Sequence, residues 1–456
     1  MPIFPWPKKV LANRPDSSFL MELPPDMWDR LLQHASEDGG DVACSRLACV
    51  CRGAAEAQAR RPRSDALRVS PTSKKVWEPA SGHFDLVLNP GEDFEVAAGR
   101  PLRTVLLLPG VHSPFVMREG LHVFGRRLAS VSSSEGTIPD ISGAKHCALY
   151  STVTAATVDG VTFTGPLTPD ADAAANDEAA PAVWIRFGGM RMQTCHVTCP
   201  GGIGILIGHP DEEADRMETI PVIEDCDVFG CLDDAIRVMA ATSWTIQRCR
   251  IFGNGTGLNC RYYMEPGVFE PFARCEPKLL DNRIHRNGSG ESGESAVTVD
   301  GPFRTLRAAG NRIDQGFSIT TASAVLVNNR ISDVIVKDGC CDMDGNRVNR
   351  VLYSDGATGR VQDGVFGDVF ISGGARPTFA RNRVIGTTHI DGQATEGRLD
   401  HNALSAVLIL NGADPVVCFN TVTAALADSP RGIVFGNTLV AAPEGEEALS
   451  DIADDE

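Results

Sequence analysis

The residues best suited by type and spacing to do chemistry are the adjacent carboxylates of Gly230-Cys231-Leu232-Asp233-Asp234-Ala235-Ile236. Glycosidic hydrolysis needs a general acid and a base held apart across the scissile bond. Two neighbours in sequence supply that only with help from adjoining turns of chain. Aligning the flanking aliphatic runs sets Gly202 and Ile203 on one side and Gly255 and Thr256 on the other, so no third carboxylate arrives. Asp233 and Asp234 therefore read as a capped or solvated turn. An eliminase would want basic side chains beside a substrate carboxylate. The chain is acidic, and no aligned Lys/Arg ladder is expected.

Other candidates carry less. Asp338, Asp342 and Asp344 crowd together in KDGCCDMDGN, but their spacing is not that of a calcium loop, and Asp-Gly pairs are ordinary turns. No metal or cofactor is expected. Gly201 to Gly208, GGIGILIG, lacks the Lys-Ser/Thr of a phosphate loop and reads as a tight strand. Cys340 and Cys341 are adjacent and cannot easily bridge each other. With no catalytic residue assigned, the elements that would position them become the main evidence.

Those elements repeat. Asn282-Arg283-Ile284, Asn311-Arg312-Ile313, Asn329-Arg330-Ile331, Asn346-Arg347-Val348, Asn382-Arg383-Val384, Asn402-Ala403-Leu404, Asn420-Thr421-Val422 and Asn437-Thr438-Leu439 recur at a spacing near 18 residues. The long step to Asn382 is two coils, with Asp363-Gly364-Val365 between. Upstream the anchor is filled by Cys195, Cys226 and Cys249, and by Asp in Asp159-Gly160-Val161. Proline stands five residues before the anchor at Pro221, Pro277, Pro377 and Pro415. A period this short suits one coil of three short strands, not a helix pair. The fold class is therefore mainly β: a right-handed single-stranded parallel β-helix, about a dozen coils long, with each Asn bonding its neighbours above and below. Aromatics are only 6% of the chain, which suits thin layers of small and branched side chains.

Residues 1–17 read as a flexible leader, 18–60 as a small all-α module, 61–81 as a linker, 82–441 as the β-helix and 442–456 as an acidic disordered tail. Acidic insertions near 168–180 and 211–218 read as loops between coils. A net charge of −17 argues against nucleic acid as partner. No apolar leader and no run of membrane-spanning length is visible, so a cytoplasmic or nuclear location is expected, with reduced cysteines. Asn254 and Asn287 then read as turn residues and not glycan acceptors.

The helical module resembles an F-box. Leu23-Pro24 opens it, Met27 to Leu32 is its apolar helix, Asp41-Val42 its Asp-Leu-like step, and Val50-Cys51-Arg52 its close; Ala54 stands where that family often has Trp or Phe. The resemblance implies docking to a Skp1-like adaptor, and through it to a cullin–RING ubiquitin ligase, by Leu23, Pro24, Met27, Trp28, Leu31, Leu47 and Val50. The remainder resembles the pectin-lyase-type β-helix of carbohydrate-binding proteins and sugar hydrolases, through phrases such as GGARPTFARNRV. Asp233-Asp234 resembles the Asp-Asp step of polygalacturonases, whose Gly-His-Gly and Arg-Ile-Lys motifs are absent here. F-box proteins carrying a β-helix as substrate-binding domain are a known arrangement. The expected function is thus a non-catalytic substrate receptor for an unknown protein, and the alternative a carbohydrate-binding or polysaccharide-cleaving β-helix capped by the helices.

Overall fold

The computed structural model describes residues 84–440 apart from short internal stretches, and all of these fall in the unit that begins at His83. Leu23, Pro24, Met27, Trp28, Leu31, Leu47 and Val50, expected to dock an adaptor, lie outside the described residues. No helix among the described residues is long and apolar enough to cross a membrane.

Each coil begins with a short strand in a sixteen-stranded, wholly parallel sheet running from Leu86–Leu88 to Ile433–Phe435. Fifteen rises at the ~4.8 Å strand spacing give a rod about 70 Å long. A second parallel sheet takes the rest of every coil. In the first half each coil adds two strands to it, such as Asp227–Phe229 and Asp234–Val238. From Arg312–Thr320 onward the two fuse into one bent strand, which pairs with both Arg283–His285 and Ser295–Asp300. This is a parallel β-helix; right-handed winding is the sense such crossovers take.

Alternation along each strand builds the core. Val228, Ile251, Ile284, Ile313, Ile331 and Val348 stack in register, one per coil, and all are buried. Each contributes roughly 1.5–3 kcal/mol of apolar burial. The sharp corner between the sheets is made by one residue with positive φ followed by the anchor. Thr194, Asp225, Arg248, Asp281, Asn328, Asp363, Arg381, His401 and Phe419 occupy that corner with φ between 49° and 56°, and Gly160, Gly310, Gly345 and Gly436 fill it elsewhere.

Two anchor assignments need correction. Asp159 pairs with Gln193, so the residue level with Cys195 is Val161. Likewise Arg347 pairs with Val365, which makes Gly364 the anchor and Asp363 the left-handed corner before it. Asp and Gly both suit a left-handed corner, so the triplet alone does not say which residue turns inward.

Candidate functional site

The predicted structural ladder forms. Asn282, Asn311, Asn329, Asn346, Asn382, Asn402 and Asn420 are buried at the corner. In each step a side-chain amide donates to the next Asn Oδ1, at 3.0 Å from Asn282 to Asn311, 2.9 Å from Asn311 to Asn329 and 3.0 Å from Asn329 to Asn346. The run resumes from Asn382 through Asn402 and Asn420 to Asn437. It is broken once, at Gly364, because the Phe366 ring fills the slot: a Cβ on Gly364 would sit 2.6 Å from Phe366 Cε2. Cys195, Cys226 and Cys249 continue the column upstream, where burial raises the Cys226 thiol well above its ordinary value and leaves it inert. All ten described cysteines are free. Asn254 and Asn287 form a second, shorter ladder with a 2.9 Å bond between their side chains, so neither amide faces solvent.

Asp233 sits in a bend with its side chain partly exposed, as a capped or solvated turn would have it, whereas Asp234 opens the strand Asp234–Val238 and is buried. Asp234 is 1% exposed and accepts from Arg237 Nε at 2.5 Å and from Asn259 Nδ2 at 3.0 Å, while Arg237 Nη2 donates to Asp233. Burial, opposed by Arg237, pushes the Asp234 carboxyl above its usual range. Thr256 lies beside Asp234 in register, as the aliphatic alignment anticipated. One guanidinium thus holds both carboxylates, and the inner one has no path to a substrate. A buried ion pair costs solvation, which its partners must replace; that explains the third bond from Asn259. For Asp234 the turn reading fails because Arg237, three residues on along the same strand, engages it, and the same guanidinium reaches back to Asp233. Of the other acidic candidates, Asp342 accepts from the Arg360 amide at 2.8 Å and Asp338 sits in a left-handed corner.

A feature the sequence reading denied is present on the outer surface. The residue after each anchor points outward, and in register these are Arg250, Arg283, Arg312, Arg330 and Arg347, on five consecutive coils. Val365 interrupts the column before Arg383. Arg250 lies 3.8 Å from Asp227 and Arg312 3.1 Å from Asp314. Among the described residues Arg283 and Arg347 enter no ion pair. The signal was legible: the Asn-Arg-Ile triplets contain it, and a period-2 strand makes the residue after a buried anchor face out. The expectation that no Lys/Arg ladder would align is corrected accordingly.

Beside this column runs an aromatic one. Phe229, Phe252 and His285 stack with centroids 5.4 Å apart and planes within 11°. Arg250 covers Phe252 at 5.1 Å. Burial, with Arg283 adding to it, lowers the His285 imidazole pKa, which favours the neutral ring in the stack. Because the rings face one another, they present edges to solvent.

The fold and site together define a parallel β-helix with a charged, in-register outer column and a neutralised carboxylate pair. No protein-family model and no curated protein sequence matches the chain. Among solved structures it is similar to pectate lyase Pel9A at 12% identity, over 77% of this chain and 80% of that one, with a TM-score of 0.25. It is also similar to polygalacturonase from Erwinia carotovora ssp. carotovora at 12% identity, over 81% of this chain and 99% of that one, with a TM-score of 0.26.

Proposed function

We propose that the β-helix is a non-catalytic binding domain that takes an extended polysaccharide along its axis. The observation that supports this reading most is strict register: one side-chain type recurs at one outward position on five coils, and a regularly repeating surface matches a regularly repeating ligand. Cleavage is disfavoured because Arg237 engages both Asp233 and Asp234. Affinity electrophoresis of the full chain through gels containing defined polysaccharides tests it. Retardation by at least one supports binding; migration unchanged by all of them refutes it.

A second reading concerns deployment. The Leu23-Pro24 to Val50-Cys51-Arg52 motif supports attachment of this domain to a Skp1-like adaptor of a cullin–RING ligase, with the β-helix holding the ligase substrate. Co-precipitation with Skp1 that is lost on Leu23→Ala/Pro24→Ala substitution is the expected result. No co-precipitation, or capture indifferent to those residues, overturns it.

A further inference from the structure

One outward column of the second sheet is apolar twice along the rod. Toward its start Tyr150, Trp184 and Leu206 stand in register, where they cluster with Ile138 and Cys147 of the same chain and are buried. The column then turns polar through Arg237, Asn259, Thr298 and Ser318. It becomes apolar again at Ile335, Leu352, Phe370, His389 and Leu408, one per coil, with the Phe370 and His389 rings stacked at 4.8 Å. These residues are left partly exposed. We infer that a second copy of this chain covers them, in an antiparallel two-fold dimer.

The charges beside the stripe select that partner. Two residues before it the outward positions are Asp333, Arg350, Asp368, Thr387 and Ala406, and two residues after it they are Lys337, Ser354, Ser372, Asp391 and Leu410. A two-fold axis running along the strands, midway between the coils of Leu352 and Phe370, sets Leu352 against Phe370 of the second copy and Ile335 against its His389. The same operation brings Lys337 opposite Asp391 and Arg350 opposite Asp368, each pair occurring twice, as a self-complementary interface requires. Asp333 meets Thr387. At the corner Asp338 and Asp355 meet Gly392 and Gly373, so no acid faces an acid across these columns. A partner of one charge sign would be opposed by half of these residues. Arg350 already pairs with Asp333 at 2.9 Å within its own copy, which makes Lys337 and Asp391 the diagnostic pair. Within one copy those two stand three coils apart, about 14 Å at the ~4.8 Å strand spacing, too far to pair. From Ser318 to Leu408 the face spans about 24 Å, and three outward positions at ~6.7 Å make it about 20 Å wide. That is roughly 500 Å² per copy, against ~800 Å² per partner in a standard interface, so the dimer is weak and concentration-dependent.

Sedimentation velocity of the full chain over a series of concentrations tests this. The expected result is a monomer when dilute and a dimer when concentrated. Lys337→Asp and Asp391→Lys should each weaken self-association at least about tenfold, because every dimer then carries two like-charge contacts. An equimolar mixture of the two variants should associate about as tightly as the unsubstituted chain, since each opposed pair again joins opposite charges. That recovery cannot come from a folding defect. Leu352→Asp, beside the axis, should abolish the dimer. A chain that stays monomeric at every concentration overturns the second copy and leaves the stripe to a partner of another kind. A dimer indifferent to both charge reversals, or a mixture no tighter than its components, overturns it equally. The polysaccharide reading stands or falls separately from these outcomes.

Discussion

Replacing Asn329 by Ala probes the bond network that defines every corner of the rod. Asn329 Oδ1 accepts from Asn311 N at 2.9 Å and from Asn311 Nδ2 at 2.9 Å; its own Nδ2 donates to Ala308 O at 2.9 Å and to Asn346 Oδ1 at 3.0 Å. Not all of these partners are orphaned by truncation. Asn311 Nδ2 keeps Leu279 O, and Asn346 Oδ1 keeps the Asn329 backbone N–H. One buried group is left, the Asn311 N–H; the Ala308 carbonyl loses this bond but lies in the parallel ladder with Leu326. An unsatisfied buried group costs about 1–3 kcal/mol, so the substitution should destabilise by that amount. Asn329→Cys, which imitates the natural filling at Cys226, should cost less. Urea denaturation measures the loss, and amide exchange at Asn311 localises it. A penalty under about 1 kcal/mol with the Asn311 amide still protected would refute the ladder as a source of stability.

Arg237→Ala should destabilise by about 3–5 kcal/mol, because it leaves Asp234 charged and buried, whereas Asp233→Asn at the partly exposed end should cost under about 1 kcal/mol; thermal unfolding of both reads the contrast. Gly364→Ala should also destabilise, since the new Cβ would press on the Phe366 ring and lie 2.9 Å from Asn346 O, and circular dichroism melts would show it. Acid should weaken the rod through Glu224. Burial pushes that carboxyl up, but Arg191, Gln247 and Arg248 outweigh it and hold its pKa below the ordinary 4.5. A depressed folded-state value means that the stabilisation is present above pH 4.5 and is lost as pH falls through the folded value. Glu224→Gln should therefore flatten the acid limb of a stability–pH curve; an unchanged limb would contradict the assignment.

Much of the fold was legible because the buried anchor is a side chain with one geometric solution. Asn can donate to the coil above and accept from the coil below only at a corner, so its spacing reports the coil length. Where a residue fitted two positions the sequence was ambiguous: Asp363 and Asp159 could anchor or turn, and only strand pairing separates the cases. The site was less legible. The ion pair of Asp234 depends on Arg237 lying beside it on one strand, which local turn signals do not reveal. The arginine column is written in the triplets themselves, because the residue after an inward Asn on a period-2 strand faces outward. Residues 18–60, whose motif resembles an F-box, lie outside the described residues.

The proposal that the β-helix holds an extended polysaccharide without cutting it can be tested most directly with the full chain. The direct measurement incubates stoichiometric full-length protein with polygalacturonate and follows both complex formation and the length distribution of the polymer. The expected result is a stable complex and an unchanged distribution. Shortening of the polymer that disappears in Asp233→Asn protein would contradict it.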